Sequence, residues 1–178
     1  MRDAEATRIR ILSAAVTEFA AHGYSGGRVE RIARDADSNV RMIYAYFGNK
    51  SGLFDAALSD AIGRMAHDVP IDPLDLPAWV GRLYDFHQRR PDVLRICLWA
   101  QLERPEAASE PLEAYVTKVQ SVGTPRSPTI SAVDLLVIIY AIAQAWQLAP
   151  IGLLAVDGNA DSATRRAAAV EAVARVLS

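Results

Sequence analysis

Residues Val29–Lys50 read VERIARDADSNVRMIYAYFGNK, and the spacing of the apolar residues in this run decides the fold. Val29, Ile32, Ala33 and Ala36 stand at i, i+3, i+4 and i+7, the interval of a helix with one buried face. The pattern stops at Asp37 and Ser38 and resumes at Ile43, Tyr44 and Phe47. Asn39 is suited to cap a second helix, because its side-chain oxygen can accept one of the amides that a helix leaves unpaired at its start. Two short helices joined by so tight a turn must cross steeply, which needs a small residue at the contact. Ala33 is placed to supply it, with Ile43 packing from the second helix. This is the layout of a helix-turn-helix, a motif that offers its second helix to the major groove of DNA.

The flanking sequence fits that layout. From about Ala4 to Ala21 the chain reads as a helix with Ile9, Leu12, Val16 and Phe19 on one stripe, ended by Gly23. Gly48 breaks the second motif helix, and Lys50 opens a longer one, to about His67, striped by Leu53, Phe54, Ala57, Leu58, Ala61, Ile62 and Met65.

Taken together, the run from Ile9 through Phe54 resembles the DNA-binding domain of the tetracycline-repressor (TetR) family. The resemblance rests on His22-Gly23-Tyr24, Val29-Glu30-Arg31-Ile32-Ala33-Arg34, Ile43-Tyr44-Ala45-Tyr46-Phe47, and Asn49-Lys50 followed by Leu53-Phe54. It covers the first third of the chain, with order and spacing in agreement throughout. There are departures: the family usually has Thr where Gly27 and Arg28 stand, Gly where Asp37 stands and a buried Val where Ser38 stands. Asp tolerates positive φ, so Asp37 can still make the turn. Gly27 is a weaker N-cap, so the helix after it is expected to start less firmly.

The resemblance implies an all-α protein. An N-terminal three-helix helix-turn-helix domain would occupy residues 1–48, and a C-terminal helical domain for ligand binding and dimerisation residues 49–178. It further implies a ligand-responsive transcriptional regulator, in most of the family a repressor, released from its operator by a small-molecule effector. Tyr44 and Lys50 match family positions that bind phosphate, and a phenol hydroxyl and a cation beside a helix N-terminus have the right chemistry.

The residues themselves supply the rest of the candidate DNA-binding set. Asn39, Val40, Arg41, Met42, Tyr44 and Tyr46 lie on the outward side of the second motif helix, and Arg28 opens the helix before it. Arg41 can donate two hydrogen bonds to guanine O6 and N7, whereas Val40 and Met42 offer apolar contact, for instance with thymine methyls. One such helix reads only a few base pairs. A symmetric homodimer doubles the contact and demands a palindromic operator.

Composition sets the outer bounds. The chain has 178 residues, 51% of them hydrophobic, enough for a substantial core in one or two domains. Its net charge of −2 excludes a protein coated in basic residues. Residues 1–50 carry eight Lys/Arg against six Asp/Glu, a net of +2, while residues 51–178 carry eleven against fifteen, a net of −4. The basic end is the one that holds the motif. One cysteine, Cys97, leaves no internal disulfide framework and fits a reducing cytoplasm. The charged N-terminus has no apolar run behind it and does not read as a signal peptide.

Beyond the motif the chain continues as helices between Pro-rich breaks. Pro70 to Pro77 is a connector; Ala78–Arg90, Asp92–Arg104 and Leu112–Val122 read as helices; Gly123–Pro128 (GTPRSP) reads as a mobile, turn-rich loop. Ile130–Trp146 has no polar face, and a helix apolar all round is expected to be buried all round, here between the domain core and a partner subunit. A membrane span needs about 20 uninterrupted apolar residues, and Asp134, Gln144, Gln147 and Pro150 interrupt this one, so no membrane association is expected. Small residues Ala163, Ala167 and Ala174 line the final helix, and small residues let helices approach closely. Dimerisation is therefore placed in the helices at about 130–147 and 160–177.

Aromatic bulk with a few polar tips marks the ligand candidates: Trp79, Leu83, Phe86, His87, Trp99, Tyr115, Tyr140 and Gln144. They suggest an apolar or aromatic effector. His22, His67 and His87 are not spaced as metal ligands, and no phosphate loop, nucleophile motif or paired Cys is present, so neither an enzyme nor a cofactor is expected. A sequence-specific DNA-binding dimer with no effector is the alternative function. A helical interaction or membrane-associated protein with an incidental motif is the third class.

Overall fold

The computed structural model describes residues 2–107, 112–123, 129–156, 158 and 161–177. Of the GTPRSP loop, residues 124–128 lie outside that set. The described chain forms ten α-helices: α1 (Arg2–Gly26), α2 (Val29–Asp35), α3 (Val40–Phe47), α4 (Lys50–Asp68), α5 (Leu76–Arg89), α6 (Pro91–Glu103), α7 (Leu112–Val122), α8 (Ala132–Leu148), α9 (Ile151–Ala155) and α10 (Ser162–Leu177). A single 3-10 turn follows α6 at Pro105–Ala107. The chain packs as two compact units. One holds Met1–Met65 with Asp92–Glu110, so that α6 belongs with the N-terminal helices; the other holds Ala66–Pro91 with Pro111–Ser178.

In the first unit α2 packs on α1 and α3 packs on α2. The core is Ile11, Leu12, Ala15, Val16 and Phe19 of α1, Ile32 and Ala33 of α2, Ile43 of α3, and Leu53, Phe54 and Leu58 of α4. Phe54 stands at the centre, its ring edge-on to Phe19 at 5.0 Å and to Tyr24 at 5.3 Å. Ile9, expected on the buried stripe, is 45% exposed; the helix turns Ile11 inward in its place. α1 is broken at Gly23, whose φ of 71° and ψ of −179° leave the helical region.

The turn of the motif is made as its residues require. Asp37 has φ of 49° and is the one non-glycine residue with positive φ among those described. Asn39 caps α3 through a 2.8 Å bond from the Met42 amide to its Oδ1. The start of α2 differs from expectation. Its N-cap is Arg28, which makes no side-chain cap of its own. The carboxylate of Glu18, on α1, accepts the Arg28 amide at 2.9 Å instead. Gly27 is needed for closeness rather than capping: a Cβ there would lie 2.6 Å from Cδ1 of Phe19.

The second unit is built around α5, which packs against α8 and α10, while α7 packs on α8. Asp75 caps α5 by accepting the Ala78 amide at 2.9 Å. Trp79 donates its indole N–H to the Val69 carbonyl at 3.3 Å and meets the Tyr140 ring edge-on at 5.6 Å. Tyr84 meets the Trp146 ring at 5.7 Å, and its hydroxyl lies 3.3 Å from Oγ of Ser162. Arg166 binds Asp85 at 2.8 Å. α8 begins with a capping box, in which the Asp134 amide donates to Ser131 Oγ at 3.1 Å and the Ser131 amide returns the bond to Asp134 at 3.1 Å.

Within one chain α8 is covered on one side only. Leu135, Leu136, Ile139 and Ala143 are buried, yet Val133 is 54% exposed, Val137 62% and Leu148 51%. The other helices of its unit cover one side of α8, so within one chain its apolar character exceeds what they can bury. Ala163, Ala167 and Ala174 of α10 are exposed as well. Among the described residues no helix is long and apolar enough to cross a membrane.

Candidate nucleic-acid interface and buried polar groups

α3 presents Arg41, Met42, Tyr44, Ala45 and Tyr46 to solvent, with Met42 and Tyr44 each 41% exposed. The face is held rigidly from behind. Ile43 is fully buried, Asn39 clamps the first turn, and the Tyr46 hydroxyl donates to the Ala4 carbonyl of α1 at 3.3 Å. Val40 is half-buried beside them, and Arg28, at the head of α2, is exposed. Asn39 is exposed too, but its side-chain oxygen is engaged by the Met42 amide, which leaves the NH2 group as its outward donor. Lys50 is half-buried: its ammonium donates to the Ser25 carbonyl at 3.2 Å and sits 5.0 Å from the centre of the Tyr24 ring. The structure thus gathers Asn39, Val40, Arg41, Met42, Tyr44 and Tyr46 on one short element and sets Arg28 and Lys50 on the helices either side of it.

Behind this surface Glu18 is 7% exposed and pairs with Arg31, accepting from its Nε at 2.8 Å and also from Nη2, as well as from the Arg28 amide. Burial pushes the Glu18 carboxyl up. The Arg31 guanidinium and the Arg28 amide outweigh burial and hold it below the ordinary glutamate value.

In the second unit Trp79, Leu83, Phe86 and His87 are all buried on α5, and Tyr140 touches Trp79. Gln144 is half-buried on α8. Tyr115 is 39% exposed on α7, with the Lys118 ammonium 5.7 Å from its ring centre. Trp99 is the exception among the ligand candidates. It belongs to the first unit, where a Cβ on Gly23 would stand 3.0 Å from its indole.

Comparison with known proteins decides what carries this geometry. Residues 11–57 match the family model described as bacterial regulatory proteins, tetR family, and residues 75–175 match the tetracyclin repressor-like C-terminal domain. The chain is similar to the HTH-type transcriptional repressor SCO4008 of Streptomyces coelicolor, 40% identical over 172 residues that cover 92% of this chain and 90% of the relative. The chain belongs to the TetR family. The HTH-type transcriptional repressor NicS of Pseudomonas putida is a further relative of this TetR-family chain, 33% identical over 138 residues, 74% of this chain and 65% of that one. Among solved structures, a candidate transcriptional regulator from Streptomyces coelicolor, SCO4942, is 34% identical and superposes with a TM-score of 0.84 over 96% of this chain and 97% of its own.

The TetR-family fold also buries polar groups: His87, already a ligand candidate from the sequence, and Gln147 and Arg165, which were not. His87 is 1% exposed and neither ring nitrogen has a hydrogen-bond partner among the described residues; burial pushes its pKa down to about 4, so the ring is neutral near pH 7. Nε2 and Oε1 of Gln147 on α8, and Nε and Nη2 of Arg165 on α10, are likewise buried without partners among the described residues. Nothing local distinguishes Arg165 from its neighbour Arg166, which does find a carboxylate. Only the packing tells them apart.

Proposed function

We propose that this TetR-family protein is a ligand-responsive transcriptional repressor that binds a palindromic operator as a homodimer and is released by a small-molecule effector. One observation carries the reading: the outward face of α3, with Arg41, Met42, Tyr44 and Tyr46 exposed on a helix fixed by the Asn39 cap and the buried Ile43. In this reading α3 lies in the major groove, Arg41 reads a guanine, Val40 and Met42 meet thymine methyls, and Arg28, Asn39, Tyr44, Tyr46 and Lys50 complete the contact. The name of the Streptomyces coelicolor relative, a transcriptional repressor, supports repression over activation.

The division of labour follows the chain: residues 1–48 read DNA, and residues 49–178 bind the effector and dimerise. The exposed stripe Val133, Val137 and Leu148 of α8, with Ala163, Ala167 and Ala174 of α10, supports a two-fold interface through these helices, because an unburied apolar stripe gains most by meeting its own copy. The effector has an apolar or aromatic body that meets Trp79, Leu83, Phe86, Tyr115, Tyr140 and Gln144. The unpartnered His87 supports a ligand contact there, since buried polar atoms without partners cost stability until something satisfies them. Effector binding shifts the dimer toward a spacing of recognition helices that no longer fits successive grooves. The protein acts in the cytoplasm, where its operator is.

Selection of bound duplexes from a random DNA pool tests the reading. It is expected to return an inverted repeat, and Arg41→Ala to lose about 1–3 kcal/mol of discrimination at one position in each half-site. Equal retention of every duplex, or a site without two-fold symmetry, overturns it. Operator binding that no bound small molecule changes leaves the effector-free dimer as the function.

A further inference from the structure

The last turn of α6 grips the break in α1. At Gly23 the helix leaves the α region, and the amides of Tyr24 and Ser25 point to one atom: Oε2 of Glu103, at 2.6 and 3.0 Å. Trp99, one turn earlier on α6, lies against Gly23 itself. The next residue, Arg104, donates to Ser51 Oγ at 2.5 Å, pairs with Asp55 at 3.3 Å, and sets its guanidinium 4.9 Å from the Tyr24 ring centre. The next peptide unit holds Lys50, whose ammonium donates to the Ser25 carbonyl at 3.2 Å and lies 5.0 Å from the Tyr24 ring. Glu103 and Lys50 therefore share one short backbone segment, which donates to the first and accepts from the second.

We propose that Glu103 is a positioning residue for DNA binding: by fixing the Tyr24–Ser25 segment it holds Lys50 where its ammonium meets a backbone phosphate. The Lys50 side chain is flexible, with four rotatable bonds, and a phosphate contact is strengthened when its direction is set in advance. The Ser25 carbonyl and the Tyr24 ring set it, and the Glu103 carboxylate sets them. A carboxylate this near the DNA-reading surface is electrostatically unfavourable for binding, so its presence calls for a mechanical reason. Both bonds fall on a single oxygen, which makes a clean distinction available. Gln at 103 keeps a carbonyl oxygen in the same place and removes only the charge.

The proposal rests on Lys50 being a phosphate contact, and the experiment separates the two. Affinity for the duplex selected from a random pool is measured over a range of salt for the wild type, Lys50→Ala, Glu103→Gln, Glu103→Ala and the double variant Glu103→Ala/Lys50→Ala. Lys50→Ala removes one phosphate contact from each half-site, so it is expected to weaken binding of the dimer about a hundredfold, about tenfold per protomer, and to reduce the salt slope by about 2. Glu103→Ala is expected to do the same, Glu103→Gln to retain wild-type slope and affinity, and the double variant to match Lys50→Ala alone. An unchanged slope in Lys50→Ala overturns the phosphate reading itself. A reduced slope in Lys50→Ala with a wild-type slope in Glu103→Ala, or additive losses in the double variant, overturns the positioning role. Tighter binding in both Glu103 variants shows a carboxylate that only repels DNA, and overturns it too. Thermal melting of each variant at each salt concentration scales its affinities to folded protein, so that neither affinity nor slope carries a change in the folded fraction.

Discussion

Glu18 and Arg31 form a part-buried ion pair that ties α1 to α2, and the same carboxylate secures the first free amide of α2. A helix whose own N-cap side chain does nothing is thereby capped from a neighbouring helix. Glu18→Ala strands the Arg28 amide and the Arg31 guanidinium together, and is expected to cost about 2 kcal/mol in urea-induced unfolding. The pair also gives a pH dependence. The Glu18 carboxyl is held below the ordinary glutamate value of 4.5, so the folded state binds its proton less readily than the unfolded chain. Its contribution is complete above about 4.5 and is lost as pH falls through the lower, folded value. Glu18→Gln should therefore flatten the loss of stability in that acid range, and an unchanged profile would show that the pair contributes nothing to it.

His87 acts over a different range. Burial depresses its pKa from 6.5 to about 4, so the unfolded chain takes up a proton that the folded chain refuses. Stability is expected to fall between pH 6.5 and about 4 by roughly 3 kcal/mol, an order-of-magnitude figure. His87→Leu removes both unpartnered nitrogens and the linkage with them. Melting temperature should then be nearly constant from pH 6.5 to 5, where the wild type declines.

Ser38 stands in the turn of the helix-turn-helix with its hydroxyl buried and without a partner among the described residues. An apolar residue of similar shape has no such group to satisfy. Ser38→Val is expected to stabilise the protein by about 1 kcal/mol, a rise of about 2–4 °C in melting temperature. A fall instead would mean that the pocket cannot take the second methyl.

The exposed centre of the α8 stripe is Val137. If two copies meet there, Val137→Glu places two like charges in an apolar contact. Sedimentation should then show a monomer where the wild type is a dimer, and affinity for the palindromic duplex should drop more than a hundredfold as the second half-site is lost. A wild-type protein that sediments as a monomer at micromolar concentration removes the premise.

Much of the fold was legible before the structure because its signals are short-range. Apolar intervals place α2 and α3; the Asn39 cap lies three residues from the amide it binds; Asp37 takes the positive φ that a tight turn needs. The candidate DNA face followed from the same periodicity, since a helix with Ile43 inside must turn Arg41, Met42 and Tyr44 outward. Ligand candidates were less legible. Aromatic bulk does not say which side chains share a core, and Trp99 packs against Gly23 in the first unit while Trp79 and Tyr140 meet in the second.

The sequence by itself determined the all-helical class, the helix-turn-helix and its outward residues, because periodicity, capping and turn formation involve residues within a few positions of one another. Only the tertiary structure decided that α6 belongs with the N-terminal helices, that Glu103 holds Tyr24 from 79 positions away, and that Arg166 finds a carboxylate while Nε and Nη2 of Arg165 find no partner among the described residues. Those pairings depend on how whole helices lie against each other, and a linear pattern of polar and apolar residues carries no record of which partner a buried charge will meet.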